Sequence, residues 1–183
     1  MANTHHFIGI SLPKSIRSNL VEIQHKLNLS HYFKKLTNAS DFHITLLFLG
    51  GWNLEKKEKL WDSLHGKMEG IPPFQLSLNK ISFFGKEEQP RVVWVGLEEN
   101  KTLIQLHDAI IEVADIHGFE LDKRPFRPHI TLGKSFASKE TFHYKTITDQ
   151  WGKAFPVDEI NLFQVIPGQS PMYKSISKIK LSR

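Results

Sequence analysis

Phe42-His43-Ile44-Thr45-Leu46-Leu47-Phe48-Leu49-Gly50 and Pro128-His129-Ile130-Thr131-Leu132-Gly133-Lys134 carry the same tetrapeptide, His-Ile-Thr-Leu, in two apolar settings. Side chains alternate faces along a strand, so each copy sends its His and Thr one way and its Ile and Leu the other. The apolar pair belongs in a core, and the polar pair faces a cleft or solvent. A lone His-x-Thr in a strand is usually a structural pair, and Thr favours strands in any case. Two identical copies with the same alternation point instead to a site built twice.

The rest of the chain supplies strands and helices around each copy. Phe7-Ile8-Gly9-Ile10-Ser11-Leu12 reads as a strand, and Pro13 opens a helix with Ile16, Leu20, Ile23 and Leu27 on one face. A loop around Thr37-Asn38-Ala39-Ser40 leads into the first copy, which Gly50-Gly51 stops. Asn53 caps a second helix carrying Leu54, Leu60, Trp61, Leu64 and Met68, broken by Gly70-Ile71-Pro72-Pro73. Phe74, Leu76 and Leu78 begin a strand toward Phe83-Phe84, and Arg91 to Leu97 is a β-branched strand after a turn. Asn100 caps a third helix with Leu103, Leu106, Ile110 and Val113 inward, and Gly118 ends it. Ser138 to Trp151 is assigned a weakly periodic helix. Strands near Val157 to Ile166 and Tyr173 to Leu181 flank the turn Pro167-Gly168-Gln169-Ser170-Pro171.

Short turns between strand pairs predict a largely antiparallel, α+β architecture. No Gly-, Ser- or Pro-rich linker divides the 183 residues, so residues 1–183 are read as a single two-lobed domain with rough internal symmetry. The absence of cysteine excludes disulfides, thiolate zinc sites and a cysteine nucleophile. Neither a secretory leader nor a membrane-length apolar run is visible, which predicts a soluble, cytoplasmic protein with no membrane partner. The net charge of +5 suits a polyanion such as RNA, a weak hint taken alone.

Imidazole takes or gives a proton near neutrality, so two imidazoles on opposite sides of a phosphodiester can divide general-base and general-acid work. Thr45 and Thr131 share those faces and can donate to phosphate oxygens. Arg127, two residues before His129, joins its face if the strand extends that far, and Lys134 lies just beyond the strand; either can hold a phosphate. Asp41 occupies the corresponding place before His43 and is read as a turn residue rather than a partner for the imidazole. His5-His6 is a terminal pair, and His25, His65 and His107 lie on helices with no partner motif. A shared zinc is disfavoured, because neither copy has a carboxylate in ligand register and no HExxH occurs; no metal and no cofactor are expected.

The arrangement resembles the two-histidine (2H) phosphoesterase superfamily, specifically the LigT-like RNA 2′,3′-cyclic phosphodiesterases. The resemblance runs through Phe7 to Pro13, Phe42 to Gly50, Val92 to Leu97 and, most specifically, Arg127 to Lys134. It implies a bilobal fold whose two antiparallel sheets line a groove holding both motifs. It also implies metal-independent opening of RNA 2′,3′-cyclic phosphate ends to 2′-phosphomonoesters, with 2′–5′ RNA ligation as the reverse. Carried over, His43 is the proton donor, His129 the proton acceptor, and Thr45 and Thr131 the phosphate contacts. This chain has His5 and Lys134 where members often have Arg. The partners so implied are RNA ends or small cyclic nucleotides, with no obligate protein partner. A phosphodiesterase for a small cyclic nucleotide or ADP-ribose cyclic phosphate, and a non-catalytic RNA-binding domain, are the competing readings.

Overall fold

The computed structural model describes residues 4–51, 53–143 and 153–182. Two antiparallel sheets carry the two His-x-Thr copies. The first is ordered β3–β1–β8–β9, from β1 (His5–Ser11), β3 (His43–Gly51), β8 (Glu159–Val165) and β9 (Tyr173–Lys180). The second runs β2–β6–β5–β4–β7, from β2 (Phe33–Leu36), β4 (Phe74–Gly85), β5 (Pro90–Leu97), β6 (His129–Phe136) and β7 (Ala154–Val157). The N-terminal half thus gives β1 and β3 to one sheet and β2 and β4 to the other, and the C-terminal strands β8 and β9 return to complete the first. This α+β arrangement is the expected one.

The helices follow the predicted stripes. Helix α1 (Lys14–Lys26) buries Ile16, Leu20 and Ile23, and α3 (Leu54–Met68) buries Leu60, Leu64 and Met68. Helix α4 (Lys101–Ile116) buries Leu103, Leu106, Ile110 and Val113. Both expected caps form: Asn53 Oδ1 accepts from the Glu55 and Lys56 amides, and Asn100 Oδ1 from the Leu103 amide. At the far end of α4, Gly118 adopts φ +69°. Its amide donates to Asp115 O at 2.8 Å while Phe119 N donates to Ala114 O at 3.0 Å, closing a Schellman cap.

Three elements escaped the sequence reading. The four-residue helix α2 (Leu29–Tyr32) and the strand β2 follow α1 directly, in a stretch to which the sequence assigned no element. Strand β7 pairs with the start of β4. All three are short, and β2 and β7 lie at sheet edges, where partner hydrogen bonds rather than side-chain period define the element. No helix begins at Ser138: residues 138–143 are irregular, and the remainder of that expected helix, to Trp151, lies outside the described residues.

Side chains from both sheets and from the helices merge into one continuous core, including Ile8, Ile10, Ile44, Val93, Val95, Ile130 and Leu132. The Ile and Leu of both tetrapeptides are in it, at 0% and 4% exposure in the first copy and 0% for both in the second. The His and Thr of both copies are only partly buried, on the opposite face.

Candidate active site

The two strands bearing the motifs approach each other, β3 at the edge of its sheet and β6 between β2 and β5. Each is bulged at the same residue of its tetrapeptide. In β3, Gly9 of β1 pairs with Thr45 and Ile8 with Leu47, so Leu46 is the extra residue. In β6, Trp94 pairs with Thr131 and Val93 with Gly133, so Leu132 is the extra residue. An extra residue shifts the alternation by one. Beyond the bulge it is Phe48, not Leu47, that joins His43 and Thr45, and Lys134, not Gly133, that joins His129 and Thr131. The contacts agree: the Phe7 ring meets both His43 and Phe48, at 4.6 and 5.6 Å between centroids, and the Lys134 charge is felt at His43. The sequence expectation placed Lys134 outside the strand; it lies within β6, on the groove face. The Leu132 carbonyl is held by the Thr37 amide at 2.9 Å and by Gln24 Nε2 of α1 at 2.8 Å.

Both imidazoles are oriented by main chain. His43 Nδ1 donates to Asp41 O at 2.7 Å, and His129 Nδ1 donates to Arg127 O at 2.6 Å. A carbonyl only accepts, so each neutral ring carries its proton on Nδ1 and leaves Nε2 as the basic atom. The Thr45 hydroxyl lies 3.0 Å from His43 Nε2 and donates to it in that tautomer. Among the described residues Thr131 makes no such bond to His129.

Aromatic rings enclose both histidines. His43 packs against Phe7, Phe163 and Tyr173, with centroids 4.6, 5.9 and 4.9 Å away. His129 packs against Phe84 at 5.1 Å and Trp94 at 5.5 Å. This burial disfavours the charged ring and pulls the His43 pKa from 6.5 down to about 4, against the opposing hydrogen bond to Asp41; His129 and Lys134 add repulsion. Burial likewise lowers His129, offset in part by its bond to the Arg127 carbonyl. Strands β3 and β6, which carry the two imidazoles and Lys134, lie against each other.

Asp41 does more than turn the chain. It closes the short 3-10 turn Ala39–Asp41, and its buried carboxylate accepts from the Met172 and Tyr173 amides at 2.9–3.0 Å. It therefore anchors the start of β9, and with it the Tyr173 ring, against His43. Arg127 lies before the first residue of β6, so it does not extend the His face; its side chain is exposed, and its contribution is the carbonyl that fixes His129. In the basic stretch before the second motif, Arg124 is paired with Asp122. His107, read as structural, stacks on Phe126 at 3.8 Å. The ring boxes and the Asp41 anchor were missed because Phe163 and Tyr173 lie more than a hundred residues from His43. Among the described residues no three His, Asp or Glu side chains converge as a metal cage, and no helix is long and apolar enough to cross a membrane.

A family model described as the 2′-5′ RNA ligase superfamily matches residues 12–165. An RNA 2′,3′-cyclic phosphodiesterase of Bacillus subtilis (strain 168) is 32% identical over 178 residues, covering 97% of each chain. A protein of the same description from Geobacillus stearothermophilus is 28% identical over 99% of this chain, which spans 58% of that longer protein. Among solved structures, E. coli LigT complexed with 3′-AMP superposes with a TM-score of 0.81 at 26% identity, covering 98% of this chain and 99% of that one.

Proposed function

The chain belongs to the 2′-5′ RNA ligase superfamily, and from that premise we propose that its groove hydrolyses RNA 2′,3′-cyclic phosphate ends to 2′-phosphomonoesters without a metal. The observation that carries this reading is the pair of imidazoles presented by matching bulged strands, each with Nδ1 tied to a carbonyl, so that Nε2 is the atom turned to chemistry, free on His129 and held by the Thr45 hydroxyl on His43.

His129 Nε2, with no threonine bonded to it, takes a proton from water as the oxygen attacks phosphorus. The bond from phosphorus to the 3′-oxygen breaks, and protonated His43 gives its Nε2 proton to that oxygen. The product keeps phosphate on the 2′-oxygen. His43 begins uncharged, and the anionic phosphate set beside it favours the imidazolium it needs. Thr45 then turns its hydroxyl from His43 to a phosphoryl oxygen, and Thr131, with no such bond to give up, donates from the other strand. Lys134, on the groove face, offsets phosphate charge. Arg127 reaches the phosphate only if its exposed side chain folds back over the groove. The core shared by both sheets supports reading the chain as a single two-lobed phosphoesterase domain.

The test is hydrolysis of a short RNA ending in a 2′,3′-cyclic phosphate, in EDTA, by wild type, His43→Ala and His129→Ala. Wild type yields the 2′-phosphate, and each variant loses roughly a hundred- to ten-thousandfold in rate. Activity retained in either variant, or lost in EDTA, overturns the reading. A mononucleoside cyclic phosphate is the smaller alternative substrate, favoured by the 3′-AMP held by the E. coli LigT neighbour.

A further inference from the structure

We propose that the pocket beside His43 is a second phosphate subsite, in which Arg17 grips the phosphodiester one nucleotide upstream of the cyclic end. The proposal rests on the reading of His43 as donor to the 3′-oxygen.

A cavity of about 210 Å³ opens next to His43 and is lined by Ser11, Arg17, Ser40, Asp41 and Tyr173 among others. Arg17 enters it from the first turn of α1, and its Nε is buried without an acceptor. Among the described residues no carboxylate pairs with this guanidinium. Asp41, the carboxylate in the same wall, is already committed to the Met172 and Tyr173 amides. A guanidinium cannot shed its charge, so one that lines a cavity with no carboxylate partner favours an anion at the edge it turns to that cavity, its Nε staying buried behind. Its planar fork matches two phosphate oxygens, and the Ser11 and Ser40 hydroxyls are at hand to donate as well.

The direction of the reaction says which phosphate this is. The 3′-oxygen departs toward His43, so the ribose lies on the His43 side of phosphorus and water arrives from the His129 side. The 5′ substituent of that ribose then runs toward the pocket that has His43 as a wall. In a free mononucleoside cyclic phosphate this substituent is a hydroxyl. In an RNA end it is a phosphodiester monoanion, and Arg17 reads the difference. The ligand class is therefore an oligonucleotide of at least two residues ending in the cyclic phosphate.

The experiment compares kcat/KM for a mononucleoside 2′,3′-cyclic phosphate and a dinucleotide ending in the same group, for wild type, Arg17→Met and Arg17→Lys. Wild type prefers the dinucleotide by about tenfold or more, the worth of one charge-assisted contact. Arg17→Met collapses that ratio toward one, mainly through KM for the dinucleotide, and Arg17→Lys keeps part of it. Thermal melting establishes that each variant is folded; if Arg17→Met is not, the partial loss in Arg17→Lys carries the test. An unchanged ratio in a folded variant, or no preference in wild type, overturns the subsite. If wild type hydrolyses neither substrate, the reaction is wrong, and calorimetric binding of the dinucleotide and mononucleoside 2′-phosphates decides the subsite separately. Tighter dinucleotide binding that Arg17→Met abolishes supports it, and equal affinities refute it.

Discussion

His43 combines an aromatic enclosure with a job that requires charge. Its folded pKa of about 4 lies below the ordinary 6.5, so between those values the unfolded chain binds a proton that the folded protein refuses. Folding stability contributed at neutral pH is therefore lost as pH falls from 6.5 through about 4, by about 3 kcal/mol at its full extent. Urea unfolding at pH 7 and pH 4.5 should show this loss in wild type, and a smaller one in His43→Gln. Activity should carry the same imprint. Productive protein needs His129 neutral and His43 protonated, and both groups titrate below 6.5 in the free protein. As a coupled pair they give a bell-shaped kcat/KM with its maximum on the acid side of 6.5, falling as pH rises through neutrality. The kcat profile lies at higher pH, because bound phosphate stabilises both imidazolium forms. A kcat/KM still rising from pH 7 to 9 would rule out the acid–base assignment.

At the scale of elements, the caps behaved as their residue types dictate. Gly118 at φ +69° closes α4, and a Cβ there would meet only Lys56 Nζ, in ordinary contact at 3.8 Å. Gly118→Ala should cost about 1 kcal/mol from backbone conformation alone, with activity unaffected. Thermal melts and the RNA assay check this together. Asn53, Asn100 and the long helices were legible because capping and a 3.6-residue stripe are local signals. The groove was half legible. Alternation from His43 to Thr45 and from His129 to Thr131 is correct, and then fails at Leu46 and Leu132. A bulge is a property of pairing: Gly9 and Ile8 on one neighbour, and Trp94 and Val93 on the other, decide which residue is passed over. Nothing in the apolar run Leu46-Leu47-Phe48-Leu49 marks that choice. Hence nothing local marks Phe48 as the residue that leaves the core, although it is 64% exposed.

Across the whole molecule, a hydrogen-bonded clamp joins the segment after β1 to the second motif. Gln24 of α1 is buried and donates to both Thr37 O and Leu132 O, the latter being the bulge carbonyl of β6. Gln24→Ala should destabilise the protein by about 1–3 kcal/mol through desolvated carbonyls, read by denaturant titration. It should also lower kcat more than it raises KM, because the bulge that faces Lys134 into the groove loses a support. A stability loss with unchanged kcat would limit Gln24 to a packing role. The two halves also differ instructively. The position two residues before the histidine is acidic in one half and basic in the other, Asp41 and Arg127, yet both rings hold the same tautomer because the main-chain oxygen does the holding. Proton placement is thus decoupled from side-chain identity at those positions. The exposed Arg127 can therefore change without moving the proton on its histidine, whereas Asp41 is bound to its place by a second duty, the Met172 and Tyr173 amides that its carboxylate holds.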